Sequence, residues 1–242
     1  MLTISLRNHR RNLLTEVVDG IFLIRKTWGC NVYFIDQEPP LLIDAGFPVD
    51  STKIMKILQR YDIPPAVIAT HYHLDHVGAL KVLAQEMNAR LYAHELDALV
   101  IEGVKPYEIF KIDPLRKAYY KLLAPLFRYE FVEVDVKLKD RDKIDFHGGI
   151  EVIHVPGHTN GSIALYLPSR NLLFSGDTLR NENCNVSGPP PNFSTCLEEA
   201  YKSIYEKILP LDFDILLPGH GEPIIGGAKA KVESLFRKYG RS

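Results

Sequence analysis

No long apolar run occurs in the first 25 residues, which already carry Arg7, Arg10, Arg11, Glu16 and Asp19, so neither a secretory signal nor a membrane span is expected. Cysteine is scarce. Cys30, Cys184 and Cys196 form no metal-binding pair and leave one thiol over in any disulfide scheme, which predicts a reducing, cytoplasmic setting. Neither sign of charge is in surplus: 29 Lys and Arg against 30 Asp and Glu give a formal net charge of −1, so no global field recruits nucleic acid or an acidic membrane surface. Internal repeats and low-complexity linkers are also lacking. What remains is an ordinary globular composition, 46% hydrophobic over 242 residues, enough for one domain (1–242) with a large core.

β-Branched runs at residues 15–26, 31–36 and 41–44 predict three strands joined by tight turns. Ile54, Ile57 and Leu58 mark a helix over 49–60, and Pro64-Pro65 break the chain before a short strand at 66–70. A helix over 79–89, with Leu80, Leu83 and Met87 on one face, leads into a strand at 90–93. Between about 94 and 129 the character changes: Tyr107, Phe110, Tyr119, Tyr120 and Phe127 crowd a basic segment broken by Pro106, Pro114 and Pro125. This reads as a helical insertion, either a lid and substrate wall or plain packing against a sheet. Strands at 131–136, 143–146, 150–155, 163–167 and 172–175 follow, then a helix over 198–209, a strand at 214–217 and a last helix over 229–239. The chain falls into two comparable halves.

The densest chemistry is the stretch Thr70-His71-Tyr72-His73-Leu74-Asp75-His76-Val77-Gly78, four potential metal ligands in six positions. On an extended segment His71 and His73 point to one side and can share an ion, while Asp75 and His76, leaving in other directions, suit a second. Imidazole and carboxylate are ligands that zinc and similar first-row ions select. Three further places set a ligand just past an apolar strand and beside a glycine: Pro156-Gly157-His158-Thr159, Ser175-Gly176-Asp177-Thr178 and Pro218-Gly219-His220-Gly221. Added to the first cluster they suffice for two ions. Asp44, ending a strand in Asp44-Ala45-Gly46, either caps the next turn or projects into the site. Of the remaining candidates, His94 and His147 are expected in solvent on a strand edge or turn, and His154 buried or facing a partner sheet. Cys30 is either near the site or a small buried thiol, and residues 181–194, with Pro189-Pro190-Pro191, are either a stiff pocket rim or a connecting loop. Ser162 and Ser175 read as turn residues, Thr159 and Thr178 as loop supports.

The order strand-end Asp, His-x-His-x-Asp-His, distant His, distant Asp, last His, spanning Asp44 to His220, resembles the metallo-β-lactamase superfamily over nearly the whole chain. The resemblance implies an α/β fold, a four-layer αβ/βα sandwich of two mixed β-sheets between outer helices. It implies a first metal on His71, His73 and His158, a second on Asp75, His76 and His220, Asp177 bridging, and Asp44 orienting a ligand rather than binding metal. Within the superfamily the chain is most similar to the glyoxalase II-like and general hydrolase branch. His73 stands where flavodiiron members usually carry Glu, and only about twenty residues follow Gly221 where glyoxalase II has a helical domain, which counts against glutathione thioesters. Neither the length nor the charge leaves room for the extra domains or basic arm of nucleic-acid-processing branches.

The expected cofactor is two Zn2+, with Fe or Mn as options, and the expected activity a hydrolase. Two ions sharing a water lower its pKa toward neutrality and supply hydroxide to an ester, thioester, lactone or phosphoester of a small molecule. Asp75 is the candidate catalytic residue, orienting the water and passing its proton to the leaving group. Two rivals stand beside this: a mononuclear iron oxidoreductase of the sulfur dioxygenase type and a nucleic-acid-processing hydrolase. No membrane partner is expected, and a homodimer is left open.

Overall fold

The computed structural model describes residues 13–107, 129–146 and 148–239. The first half alternates strands and helices: β1 Leu14–Val18, β2 Ile21–Ile24, β3 Tyr33–Ile35, β4 Leu41–Ile43, α1 Ser51–Leu58, β5 Ala66–Ile68, α2 Leu74–Val77, α3 Leu80–Met87, β6 Arg90–His94, α4 Glu95–Ile101 and β7 Val136–Leu138. The second half holds β8 Lys143–Ile144, β9 Ile150–His154, β10 Ile163–Leu167, β11 Leu172–Gly176, β12 Arg180–Glu182, β13 Asn185–Ser187, α5 Leu197–Ser203, β14 Ile215–Pro218, β15 Ile224–Ile225 and α6 Ala228–Tyr239. Strands β1 to β7 pair in sequence order, antiparallel as far as β4 and parallel from β4 to β7. The second sheet runs β15-β14-β11-β10-β9-β8, with only β11 and β14 parallel. Both sheets are mixed.

Alternation along the strands sorts the core into three apolar layers. Tyr33, Ile35, Leu41, Ile43 and Ile68 face inward and meet Val152, Leu165, Leu167, Phe174 and Leu217 of the second sheet. Their neighbours Phe34, Leu42, Val67 and Leu91 face the other way, onto Ile54, Leu58, Leu80, Leu83 and Ile101 of the helices. On the far side Ile153, Ala164, Leu173 and Leu216 are covered by Ile204, Ile208, Val232 and Leu235. Helices, sheet, sheet, helices: this is the expected four-layer αβ/βα sandwich.

Several element boundaries differ from expectation. Residues 15–26 are a hairpin rather than one strand, turning at Asp19-Gly20 where Gly20 has φ +70°. The strand expected at 131–136 begins only at Val136; the segment before it lies along α4, with the Val132 N–H donating to the Ile101 carbonyl. The helix expected over 198–209 continues past α5 as a wider π turn, Ile204–Ile208. Of the insertion expected at 94–129, α4 is helical; residues 108–128, including Phe110, Tyr119, Tyr120 and Phe127, lie outside the described residues. Within 181–194 the chain forms an unforeseen hairpin, β12 with β13.

Strand direction decides where a site can form. Strand β9 is antiparallel to β10 and β10 to β11, so β9, β11 and β14 all point one way, as β4 and β5 do in the other sheet. The loops carrying His158, Asp177 and His220 therefore leave one edge of the second sheet. The Ile163 N–H donates to the Thr70 carbonyl and the Asn31 N–H to the Gly219 carbonyl, so that edge abuts the Asp44 and His71 loops of the first. Phe174 holds the sheets together behind this edge, wholly buried with its ring 5.3 Å from Tyr33. Phe174→Ala should cost about 3–5 kcal/mol in denaturant unfolding, the usual penalty for emptying a large buried site; a loss below about 1 kcal/mol would show that the sheets do not depend on this contact.

Candidate metal centre

Thr70, His71 and Tyr72 form the loop leaving β5; His73 is the N-cap of α2, whose first turn carries Asp75 and His76. His71 Nε2 lies 3.0 Å from His73 Nδ1 and 3.2 Å from His158 Nε2. Hydrogen bonds behind two of these rings decide where their protons sit. Thr70 Oγ1 donates its one proton to Asp44 Oδ2 at 2.9 Å, so at 3.1 Å it can only accept from His71 Nδ1. Ser194 Oγ donates to the Pro190 carbonyl at 2.8 Å and so accepts from His158 Nδ1 at 3.1 Å. Both Nε2 atoms are thereby left as lone pairs facing each other. Nitrogen ligands 2.0–2.1 Å from a tetrahedral ion stand about 3.3 Å apart. Two buried lone pairs at that separation repel, a cation between them relieves the repulsion, and His71, His73 and His158 can together hold one.

A second group adjoins the first. His76 Nδ1 donates to Asp44 Oδ2 at 2.8 Å, which turns Nε2 toward Asp177 Oδ1 at 3.3 Å and His220 Nε2 at 3.4 Å. Asp75 Oδ2 lies 3.2 Å from His220 Nε2 and 3.8 Å from His76 Nε2, so Asp75, His76 and His220 can hold a further ion. Asp177 faces both groups: Oδ1 toward His76 and His220, Oδ2 3.7 Å from His158 Nε2. Its Oδ1 is buried without a hydrogen-bond donor, an electron pair that a cation would satisfy. Asp44 points into the site, with Oδ1 and Oδ2 taking the Thr70 N–H and hydroxyl besides His76; its φ of +63°, rare for a residue with a Cβ, is held by that network.

Burial dominates the imidazole chemistry of the first group. It pushes His71 and His73 well below the ordinary value and His158 down to about 4, reinforced by the neighbouring rings, so all three are neutral at pH 7. His76 behaves oppositely: burial disfavours its charge, but the surrounding acids outweigh burial and carry it well above the ordinary value. Cys30, pushed up to about 12 by burial, is a neutral thiol beside His76, so Asp44, Asp75 and Asp177 supply that field. Burial raises the Asp75 and Asp177 carboxyls, and the imidazoles reverse this, holding Asp75 at about 2 and Asp177 lower still.

Some supporting residues carried no signal in the pattern. Ser194, at the end of the 181–194 loop, stands behind His158, so this loop does more than rim a pocket. Asn31 clamps the His220 turn, its Nδ2 donating to the carbonyls of Pro218 at 2.9 Å and Gly221 at 2.7 Å, and Tyr33 Oη donates to the Pro218 carbonyl at 2.9 Å. Thr159 and Ser162 bond each other, as loop supports should. His94 is a correction: rather than standing in solvent it is buried, stacked 4.0 Å from His154, and its Nδ1 accepts the Leu96 N–H to cap α4. His154, half-buried, donates from Nε2 to the Asn160 carbonyl at 2.8 Å. His147 lies outside the described residues.

A family model for the metallo-beta-lactamase superfamily matches residues 25–220, which includes every residue of both groups. The chain belongs to that superfamily. Among relatives of this metallo-beta-lactamase-fold protein, the "Probable metallo-hydrolase YflN" of Bacillus subtilis (strain 168) is 30% identical over 218 residues, covering 81% of this chain and 82% of its own. The hydroxyacylglutathione hydrolase GloC of Haemophilus influenzae is 26% identical over 204 residues, covering 80% and 85%. A solved structure of TTHA1623 in a di-iron-bound form aligns with TM-score 0.62 and 27% identity over 84% of this chain and 93% of its own. The expected glyoxalase II-like, general metallo-hydrolase affinity is borne out by these relatives. Among the described residues, no helix is long and apolar enough to cross a membrane.

The two groups should bind metal with different proton linkage. An ion entering Asp75, His76 and His220 competes with the proton that the surrounding acids favour on His76, so this step should release more protons at pH 7 than the other and weaken as pH falls. An ion on His71, His73 and His158 meets neutral rings, should release ~0 protons at pH 7, and should weaken only as pH nears the low values of those rings. Titration calorimetry in buffers of different ionisation enthalpy separates the steps; equal proton release in both would refute the assignment.

Proposed function

We propose that this superfamily member is a hydrolase of small-molecule esters, thioesters, lactones or phosphoesters that works with two divalent ions, zinc first, one on each ligand group. The observation that carries the reading is the pair of Nε2 lone pairs of His71 and His158, 3.2 Å apart, next to the undonated Oδ1 of Asp177. Bound there, such ions supply Lewis acidity, polarising a carbonyl or phosphoryl oxygen and acidifying a water. The chain's own groups do the rest. Asp177, with an oxygen toward each group, would be shared between them. Asp44 and Thr70 hold His76 and His71 in their working tautomers. Asp75, partly open to solvent and kept ionised, accepts the proton of the attacking water and passes it to the leaving group.

An aromatic wall flanks the first group. Tyr107 packs against Tyr72 at 5.4 Å and Tyr129 at 5.0 Å, with its ring 6.4 Å from His73. It offers the apolar part of a substrate a surface beside the reacting atoms, and supports the lid or wall reading of the insertion. The di-iron form of a similar structure makes iron the next metal to test.

Protein reloaded after chelation should approach two ions per chain and cleave at least one member of a panel of thioesters, lactones, phosphodiesters and β-lactams. Saturation at one iron with oxygen-consuming turnover would overturn the hydrolase reading. Asp177→Asn should lose one ion and cut kcat by more than the roughly 10–100-fold typical of outer-shell partners; two retained ions with near-normal rates would deny it the bridging role. Tyr107→Ala should shift preference between substrates by about 1–3 kcal/mol in kcat/KM while metal content holds, and an unchanged profile would reduce the wall to packing.

A further inference from the structure

Asp97, on α4, is 1% exposed and, among the described residues, accepts three hydrogen bonds from neutral donors on two different loops. Oδ2 takes the Tyr72 N–H at 3.0 Å and the Thr159 hydroxyl at 2.7 Å; Oδ1 takes the Gly161 N–H at 2.7 Å. Tyr72 lies between His71 and His73, and Thr159 directly follows His158. One carboxylate thus stands within one residue of every ligand of the first group. The fit is close: a Cβ built on Gly161 would fall 2.5 Å from Asp97 Oδ1 and 2.6 Å from its backbone nitrogen, so the His158 loop lies flush on α4 only because residue 161 is glycine. His94 Nδ1 accepts the Leu96 N–H and so caps the start of α4, and Tyr129 Oη donates to the Tyr72 carbonyl at 3.3 Å, adding a further tie to the loop that Asp97 holds.

The chemistry asks for an acceptor-only side chain. Three donors converge on two oxygens, a demand a carboxylate meets and an amide cannot, because Asn would bring two donors of its own. Burying a charge is costly unless it is fully hydrogen-bonded, and charge-assisted bonds are about twice as strong as neutral ones. The cost is spent on a joint between loops 87 residues apart, from His71 to His158.

Resting on the metal reading above, we infer that Asp97 is the positioning residue of the first metal group: it ties the His71–His73 loop to the His158 loop, holding the three rings at ligating separation without itself touching metal or substrate. Among the described residues, Asn31 and Tyr33 rather than Asp97 hold the His220 turn. Its loss should therefore be felt unequally by the two groups.

The test is stepwise zinc binding, by competition with a chromophoric chelator, in wild type, Asp97→Asn and Thr159→Val, with histidine 15N signals identifying the rings engaged at each step. In Asp97→Asn one step should weaken about 10–100-fold, as for outer-shell partners of metal ligands, and His71, His73 and His158 should be the rings that lose their metal-bound shift. Thr159→Val, which keeps the carboxylate and both backbone donors, should weaken the same step less, and carries the test if Asp97→Asn fails to fold. Equal weakening of both steps would mark Asp97 as a residue of the fold alone, and unchanged affinities would remove it from the site; either result overturns the inference. Wild-type protein that binds no zinc, iron or manganese would instead overturn the metal reading itself.

Discussion

Everything at the active edge of this sandwich answers to one constraint: electron pairs are forced together. Lone pairs of His71 and His158 face each other at 3.2 Å, and the Asp177 and Asp75 carboxylates crowd His76 and His220 at 3.2 to 3.8 Å. Facing lone pairs oppose folding on their own, while the attraction between those carboxylates and His76 offsets part of the cost. The second sheet could have sent its loops apart. Instead Ser194, Thr70, Asp44, Asn31 and Asp97 each spend a hydrogen bond or more turning a ring or holding a loop so that the convergence persists. The fold supplies the stiffness, with two sheets whose strands end on one edge and three apolar layers behind them.

The residues that the structure gathers into the two groups were legible in the sequence because each sits where a strand stops and a glycine or a short helix begins, so that a local pattern reports a local conformation. His71, His73, Asp75 and His76 declared themselves by spacing, and His158, Asp177 and His220 by the Gly beside them. The supporting residues were not legible, for the opposite reason. Asp97 sits in the first turn of an amphipathic helix, where an acid is commonplace, and what distinguishes it is a loop more than sixty positions away. Asn31 looks like any strand-head residue until the Pro218–Gly221 turn is placed above it. Long-range contact carries no signature in one chain.

The errors of the fold reading share a similar cause. The β12–β13 hairpin turns through Asn183 and Cys184, both with positive φ, which is the mirror-image turn that fits strand twist, but without the Asn-Gly pair that usually announces it. His94 was expected in solvent because it ends a strand, yet the stack on His154 and the cap of α4 bury it. Residues 15–26 alternate like one strand, and Gly20 alone reverses them. In each case a single residue's backbone or partner overrode a pattern that was otherwise regular.

The first ligand group joins positions 71 and 73 to position 158, across the boundary between the two sheets. An ion held there would be a removable cross-link closing a loop of more than eighty residues, the kind of tie whose loss frees the unfolded chain most. Unlike a disulfide it is tightened by mass action: resistance to unfolding, and so to proteases that act on opened chains, grows with the logarithm of free metal. Such a molecule's lifetime would track the metal supply around it as much as its own sequence.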